Sequence, residues 1–312
     1  MSNDMDTADF YEVVCPQRFG SDGGESVRDE RSDPSALRFL VGHDLRAARE
    51  QAQIKQADAA KHIGCTPAKL SYMESGKTQQ APDEVAALLR FYGVRVEDID
   101  RTVTLAGRAD HGTWWAPFGE VLPDWFKTFV GLEGLAARQF EYADKVLPGQ
   151  MQTPDYATAL LGDSLHIPKM DLAQSVRARM ARQRLIDTDN PLQLGAVVEE
   201  AALDRPVGGP RVMREQLEHL LMLIERDNIE FQVIPTRVAV HDGLPGSFII
   251  LGFAEARGIA YVEYHTGALY LQDRPQVDLY SLAADQIRQK ASSFAESRAA
   301  IERRISQFKD ME

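Results

Sequence analysis

The stretch KQADAAKHIGCTPAKLSYMESGK, residues 55–77, constrains this chain more tightly than any other segment. Counting from Gln56, Ala60 comes four residues on, Gly64 eight, Leu70 fourteen and Met73 seventeen. Two short helices that cross steeply over a turn of three or four residues need this pattern. Ala60 is small where the second helix passes over the first. Gly64 can take a positive φ where the first helix stops, at little steric cost. Leu70 and Met73, three apart, face inward together. Thr66 stands at the N-cap of the second helix and Pro67 at its first position, where a missing N–H costs nothing.

The surroundings fit this pair. Leu37, Leu40, Val41, Leu45 and Ala48 recur at helical spacing and predict a helix from Ala36 to about Gln51. Helices follow over Gln56–His62 and Pro67–Ser75. APDEVAALLRFYGV makes a fourth closed by Gly93, and EDIDRTVTLAGRA a fifth. Gly and Pro in ADHGTWWAPFG mark a domain boundary. The expected organisation is a disordered acidic tail over 1–35, a five-helix domain over 36–107 and a larger domain over 113–310. The chain carries a net charge of −12, which argues against indiscriminate nucleic-acid binding. Residues 36–80 nevertheless hold seven Lys and Arg against four Asp and Glu, a basic island with the helix pair inside it.

In the second part, LPDWFKTFVGLEGLAARQFEYADKV has helical spacing over several turns, and TPDYATALLG and DLAQSVRARMARQRLID also predict helices. LQLGAVVEEAAL reads as a strand entering a turn or short helix, and PRVMREQLEHLLMLIER as an amphipathic helix. IEFQVIP, GSFIILGF, IAYVEYH and ALYLQ are short β-rich runs. The chain closes on one or two helices. The expected class is a mainly α N-terminal domain followed by an α+β domain with a small sheet.

KQADAAKHIGCTPAKLSYMESGK resembles the helix-turn-helix of the Xre/Cro-type repressors. That family's conserved segment stands here as Thr66, Lys69, Leu70, Ser71, Met73, Glu74, Gly76 and Lys77. The resemblance implies that the helix from Pro67 lies in the DNA major groove. Gln56, Thr66, Lys69 and Lys77 would then hold phosphates, Lys69 also reaching toward a guanine edge. Ala68 and Tyr72, four apart on one face, would touch base edges. Arg49 and Glu74 would form an internal ion pair. Two positions depart from the family: Lys55 replaces the usual capping Ser or Thr, and Tyr72 the usual Arg or Gln.

WW, LEGLA, VLPGQMQTPDYA, RARMARQRL, VVEEAALDRPVGG, QLEHLL, VIP, GLPGSFIIL and YVEY, in this order, resemble the C-terminal domain of the WhiJ-like group of actinobacterial regulators. Gln150-Met151 replaces the usual pair of leucines. This likeness implies a transcriptional regulator of development or secondary-metabolism genes, and a repressor is the expectation. It also implies control by a small partner protein encoded nearby or by a small-molecule ligand.

No cofactor and no metal are expected. Cys15 and Cys65 lie far apart and read as free thiols of a reducing cytoplasm. The acidic start has no apolar core, so no signal peptide is expected, and no apolar run is long enough for a membrane span. A cytoplasmic protein, nucleoid-associated when on DNA, is the expectation. Glu199, Glu200, Glu263, His265 and His241-Asp242 could supply acid–base pairs, but no H-x-x-x-H, G-x-S-x-G or phosphate loop accompanies them. The arginines Arg177, Arg179, Arg182 and Arg184 could meet an anion or the acids of their own domain. Trp114, Trp115, Trp125 and Phe126 are expected at the seam between domains. A homodimer is expected, because one short recognition helix reads few bases, with helices at 209–226 and 278–308 as its surface. The alternatives are an antitoxin-like interaction module and, less favoured, an enzyme tethered to DNA.

Overall fold

The computed structural model describes residues 33–107, 115–254 and 256–312. The acidic segment 1–32, Cys15 and Trp114 lie outside the described residues. Among these, five helices fill the N-terminal part: α1 (Pro34–Gln51), α2 (Gln56–His62), α3 (Pro67–Glu74), α4 (Pro82–Phe91) and α5 (Val96–Gly107). Their core holds Leu37, Val41 and Leu45 of α1 with Ala59, Ala60, Leu70, Met73, Val85 and Leu88.

The second part comprises α6 (Asp124–Leu135), β1 (Arg138–Ala143), α7 (Pro154–Gly162), α8 (Leu172–Arg182), β2 (Gln193–Glu199), α9 (Glu200–Asp204), α10 (Pro210–Leu223), β3 (Ile229–Ile234), β4 (Phe248–Gly252), β5 (Ile259–Tyr264), β6 (Gly267–Leu271), α11 (Arg274–Lys290) and α12 (Phe294–Asp310). One six-stranded sheet runs in the order β3-β2-β1-β4-β5-β6. β3, β2 and β1 are parallel, while β4, β5 and β6 continue antiparallel. The helices between β1, β2 and β3 supply the crossovers that parallel strands require.

The sheet is larger than expected, because β1 comes from a segment read as helix. The helix ends at Leu135, and RQFEYA becomes the strand joining the parallel and antiparallel halves. Its side chains alternate between the two faces of the sheet: Phe140 and Tyr142 face one side, with Ala284 and Ile287 of α11, while Ala143 faces the main core on the other. That second core takes Leu194, Ala196, Phe231 and Val233 from the sheet, and Leu217, Leu220, Ile301 and Phe308 from α10 and α12. The apolar stripes of α10 and α12 therefore bury each other's residues within one chain. Met222 on α10 and Leu279 and Leu282 on α11 remain exposed.

The first helix begins two residues ahead of its expected start, and the expected tail through residue 35 extends too far. Asp33 is fully buried and caps α1, accepting from Ala36 N at 2.9 Å and Ser35 Oγ at 2.6 Å. Its other oxygen accepts from Trp115 Nε1 at 2.5 Å. A Cβ at Gly131 on α6 would lie 2.7 Å from the Asp33 carboxyl carbon, so a glycine lets α6 approach this cap. α1 thus serves two cores. Leu37, Val41 and Leu45 face the helical domain, while Ala36 and Leu40 belong to the core of the sheet domain. The Phe39 ring meets Tyr270 of β6 edge-on at 5.3 Å. Trp115, Trp125 and Phe126 pack against the same core, and the Tyr270 hydroxyl donates to the Trp125 carbonyl at 2.6 Å.

Because one helix lies in both cores, the two parts should unfold in a single calorimetric transition. Leu40→Ala should cost about 2–5 kcal/mol. Asp33→Ala should cost roughly 2 kcal/mol, through the lost cap and the orphaned indole N–H. Two well-separated transitions in the unsubstituted chain would contradict the shared helix.

Candidate nucleic-acid interface

The helix pair is held by a carboxylate clamp. Arg49 Nε and Nη2 reach Glu74 Oε1 and Oε2 at 2.6 and 2.9 Å. Arg49 Nη1 donates to the Ile54 carbonyl at 3.1 Å, and Gln56 Nε2 donates to Glu74 Oε2 at 3.0 Å. Glu74 therefore ties α1, the turn before α2, and α2 to the end of α3. The side chains of Arg49 and Glu74 are 12 % and 4 % exposed, so this fork works in a low dielectric where its geometry counts. The hydrogen bond to Glu74 raises the Arg49 guanidinium above its ordinary value.

The turn follows from its glycine. Gly64 has φ +68°, and Cys65 N returns to the Ala60 carbonyl at 2.9 Å, closing α2. Thr66 caps α3, its hydroxyl accepting from Lys69 N at 3.1 Å. Lys55 precedes α2 with no side-chain cap, so the departure at that position does remove a capping bond. Leu70 and Met73 are fully buried, while Thr66, Pro67, Ala68 and Lys69 are exposed around the first turn of α3 and Tyr72 one turn on, Tyr72 by 54 %. Lys77 is also exposed, beyond Gly76.

Two of the expected phosphate donors are engaged within the protein. The Gln56 amide holds Glu74, and Lys69 Nζ lies 2.5 Å from Glu84 Oε1 on α4. That hydrogen bond raises the Lys69 ammonium above its ordinary value. Lys77 makes no ion pair among the described residues.

Sequence reasoning missed how α1 grips this motif. A Cβ at Gly42 would fall 2.6 Å from the Met73 carbonyl oxygen, and one at Gly76 would fall 2.8 Å from the Phe39 Cα. Gln80, buried, donates from Nε2 to the Met73 carbonyl at 2.7 Å and to the Arg38 carbonyl at 2.9 Å. Gly42 was the available signal. A glycine inside a helix costs about 1 kcal/mol against alanine and needs a packing reason.

The acid–base candidates of the sheet domain resolve differently. His241 Nε2 lies 2.9 Å from Glu199 Oε1, which also accepts from the Tyr142 hydroxyl at 2.7 Å. His241 Nδ1 accepts from Gly243 N at 3.2 Å. Both ring nitrogens are occupied, and the cluster fastens the loop after β3 onto the sheet. Glu200 joins Asp204 in binding Arg304, while Glu263 accepts from the Tyr261 hydroxyl. Among the described residues no group of three or more His, Cys, Asp or Glu is placed to hold a metal ion.

Of the four arginines on α8 and just after it, Arg182 is buried and forks onto Glu133, with both contacts at 2.6 Å. Its guanidinium lies 5.3 Å from the Phe126 ring centre. Arg179 donates to Gln152 at 3.0 Å. Gln150 is fully buried and donates to Glu133. This amide therefore helps satisfy a buried carboxylate that an apolar side chain could not serve. Burial pushes the nearby Glu141 carboxyl up to about 7, against the opposing pull of Arg182.

Arg49→Ala should cost about 3–5 kcal/mol, because it leaves Glu74 buried and unpaired. Arg49→Lys should recover only part of this, since an ammonium cannot fork. Denaturant unfolding checks both. The raised folded pKa of Glu141 means that ionisation disfavours the fold, so stability should fall as pH rises from about 4.5 toward 7 on its account. Glu141→Gln should flatten that part of the profile and raise stability at neutral pH, as thermal melts across the window would report.

Two family models match the chain. Residues 40–101 match a "Helix-turn-helix domain", and residues 126–303 match a "Domain of unknown function (DUF5753)". No curated protein and no solved structure matches. No helix among the described residues is long and apolar enough to cross a membrane. The helix-turn-helix match, on the residues of the clamped motif, supports a DNA-binding regulator. With more than half its length matched by the second model, the chain belongs to the DUF5753 family, joined here to an N-terminal helix-turn-helix domain.

Proposed function

We propose that this protein is an Xre-type, sequence-reading transcriptional repressor of the WhiJ-like kind, cytoplasmic and nucleoid-associated when bound. The observation that carries this reading is the exposed start and outer side of α3. Thr66, Pro67, Ala68, Lys69 and Tyr72 project from a helix whose opposite side, Leu70 and Met73, is fully buried. A rigid helix with one free face and a capped start suits insertion into a major groove. Ala68 and Tyr72 meet base edges, and Thr66, Lys69 and Lys77 meet phosphates. Gln56 both anchors Glu74 and stands at the start of α2, where its second amide hydrogen can reach a phosphate.

In this reading Glu84 competes with DNA for Lys69. A phosphate oxygen replaces the carboxylate when the complex forms, so the pair lowers affinity without changing which bases are read. The protein acts as a homodimer on a twofold site, and its sheet domain answers to a small ligand or to a small partner protein. The second reading, an antitoxin-like module whose first task is to bind a partner, draws support from the exposed Met222, Leu279 and Leu282.

The test is binding to DNA from the protein's own upstream region across a salt series. Lys69→Ala should weaken binding to every sequence and flatten the salt slope by about one unit. Tyr72→Ala should cost about 1–3 kcal/mol on the specific site alone. Glu84→Gln should strengthen binding to specific and nonspecific DNA alike. No binding at low salt would sink the repressor reading and favour the partner-binding one.

A further inference from the structure

An open cleft of about 480 Å³ lies where α1 meets the sheet domain. His43, Ala47 and Gln51 of α1 form one wall. Arg257, Gln272 and the first turn of α11 form the other. The volume is in the range of sites that hold metabolites, about 300–1,000 Å³.

Gln272 makes the cleft more than a gap between domains. The residue is only 9 % exposed and lines the cleft, and its amide makes no hydrogen bond among the described residues, so its polar end is left open to the cleft. An amide held at the cleft wall without a protein partner is free to donate to, and accept from, a bound molecule. The charges around it name the chemistry. Arg257 makes no ion pair among the described residues, and Arg274 is only 3.6 Å from Asp278. Asp273 is the one carboxylate in the lining, and as N-cap of α11 it makes no capping hydrogen bond. The helix therefore presents an uncapped, partly positive end beside two guanidiniums. Burial lowers the His43 imidazole, so it is uncharged at neutral pH and offers a neutral hydrogen bond. Gln51 and Gln276 add amides for uncharged polar groups.

Position supplies the consequence. Gln51 ends α1 two residues after Arg49, whose guanidinium holds Glu74 and the turn before α2. A ligand in this cleft touches the last turn of the helix that fixes the reading motif and, at the same time, the domain on the other side. If its affinity differs between the free and DNA-bound arrangements, it shifts DNA affinity by the same factor.

We propose that this cleft is the effector site of the protein, taking a small organic anion with a carboxylate or phosphate group and coupling its occupancy to DNA affinity. The coupling rests on the DNA-binding reading above; the binding site does not. The full chain would be titrated by calorimetry with citrate and with glucose 6-phosphate, and with glucose as the uncharged control. At least one anion should bind at millimolar concentration or below, and glucose should not. Arg257→Gln, an exposed position whose change leaves the fold intact, should weaken that binding by about tenfold, near 1.4 kcal/mol. Gln272→Leu should weaken it as well, and Arg95→Gln, remote from the cleft, should not. Absence of heat with both anions, or binding indifferent to Arg257→Gln and Gln272→Leu, overturns the site. In the second arm, the bound anion should change affinity for the upstream DNA severalfold, and unchanged affinity overturns the effector role. Should the chain bind no DNA at all, the functional reading fails while calorimetry still decides the site.

Discussion

Everything in this molecule depends on α1 being buried on two sides. Leu37, Val41 and Leu45 form a stripe four residues apart that belongs to the helical domain, and Ala36 and Leu40 form a second stripe that belongs to the sheet domain. A helix with one apolar stripe would let the reading motif swing on a linker. A helix with two must be placed by both cores at once, because neither stripe can return to water without losing its burial energy. Asp33 then closes the joint, with a helix cap on one oxygen and the Trp115 indole on the other. The orientation of α3 is inherited from this arrangement through Gly42, Gly76 and Gln80, which bring backbone against backbone.

The same helix carries Arg49, and the carboxylate it grips belongs to the end of α3. The motif is therefore rigid from inside. In the proposed reading, a helix positioned this way offers Ala68 and Tyr72 to a groove with little ordering cost on binding, and its exposed side chains adapt. Lys69 shows that adaptation in its free form, paired with Glu84 across to α4.

The sheet domain has an unusually polar interior on the α8 side. Glu133, Gln139, Gln150 and Arg182 are all buried and bonded to one another. The spacing of RARMARQRL showed a charged helix but not which arginine turns inward. That depended on Glu133, forty-nine residues earlier on α6, which Gln150 also serves as a donor. Likewise His241 and Glu199 looked like a possible acid–base pair, and their meeting was not legible because they lie on different elements. Once together, each ring nitrogen of His241 has a hydrogen-bond partner inside the cluster.

The amino-acid sequence by itself determined the reading motif: the helix pair, its glycine turn, the Thr66 cap, the inward Leu70 and Met73, and the Arg49–Glu74 pairing that resemblance implied. These rest on contacts within about twenty-five residues and on local backbone preferences, which periodicity and turn chemistry report. It also placed every strand after residue 190 near its observed position. Only tertiary structure decided the rest. RQFEYA is a strand because β2 and β4 flank it, although its apolar spacing also suits a helix. α1 joins two cores, and Gln272 faces a cleft whose other wall is over two hundred residues earlier in the chain. Such features are set by which surfaces meet, and a single sequence records only the surfaces.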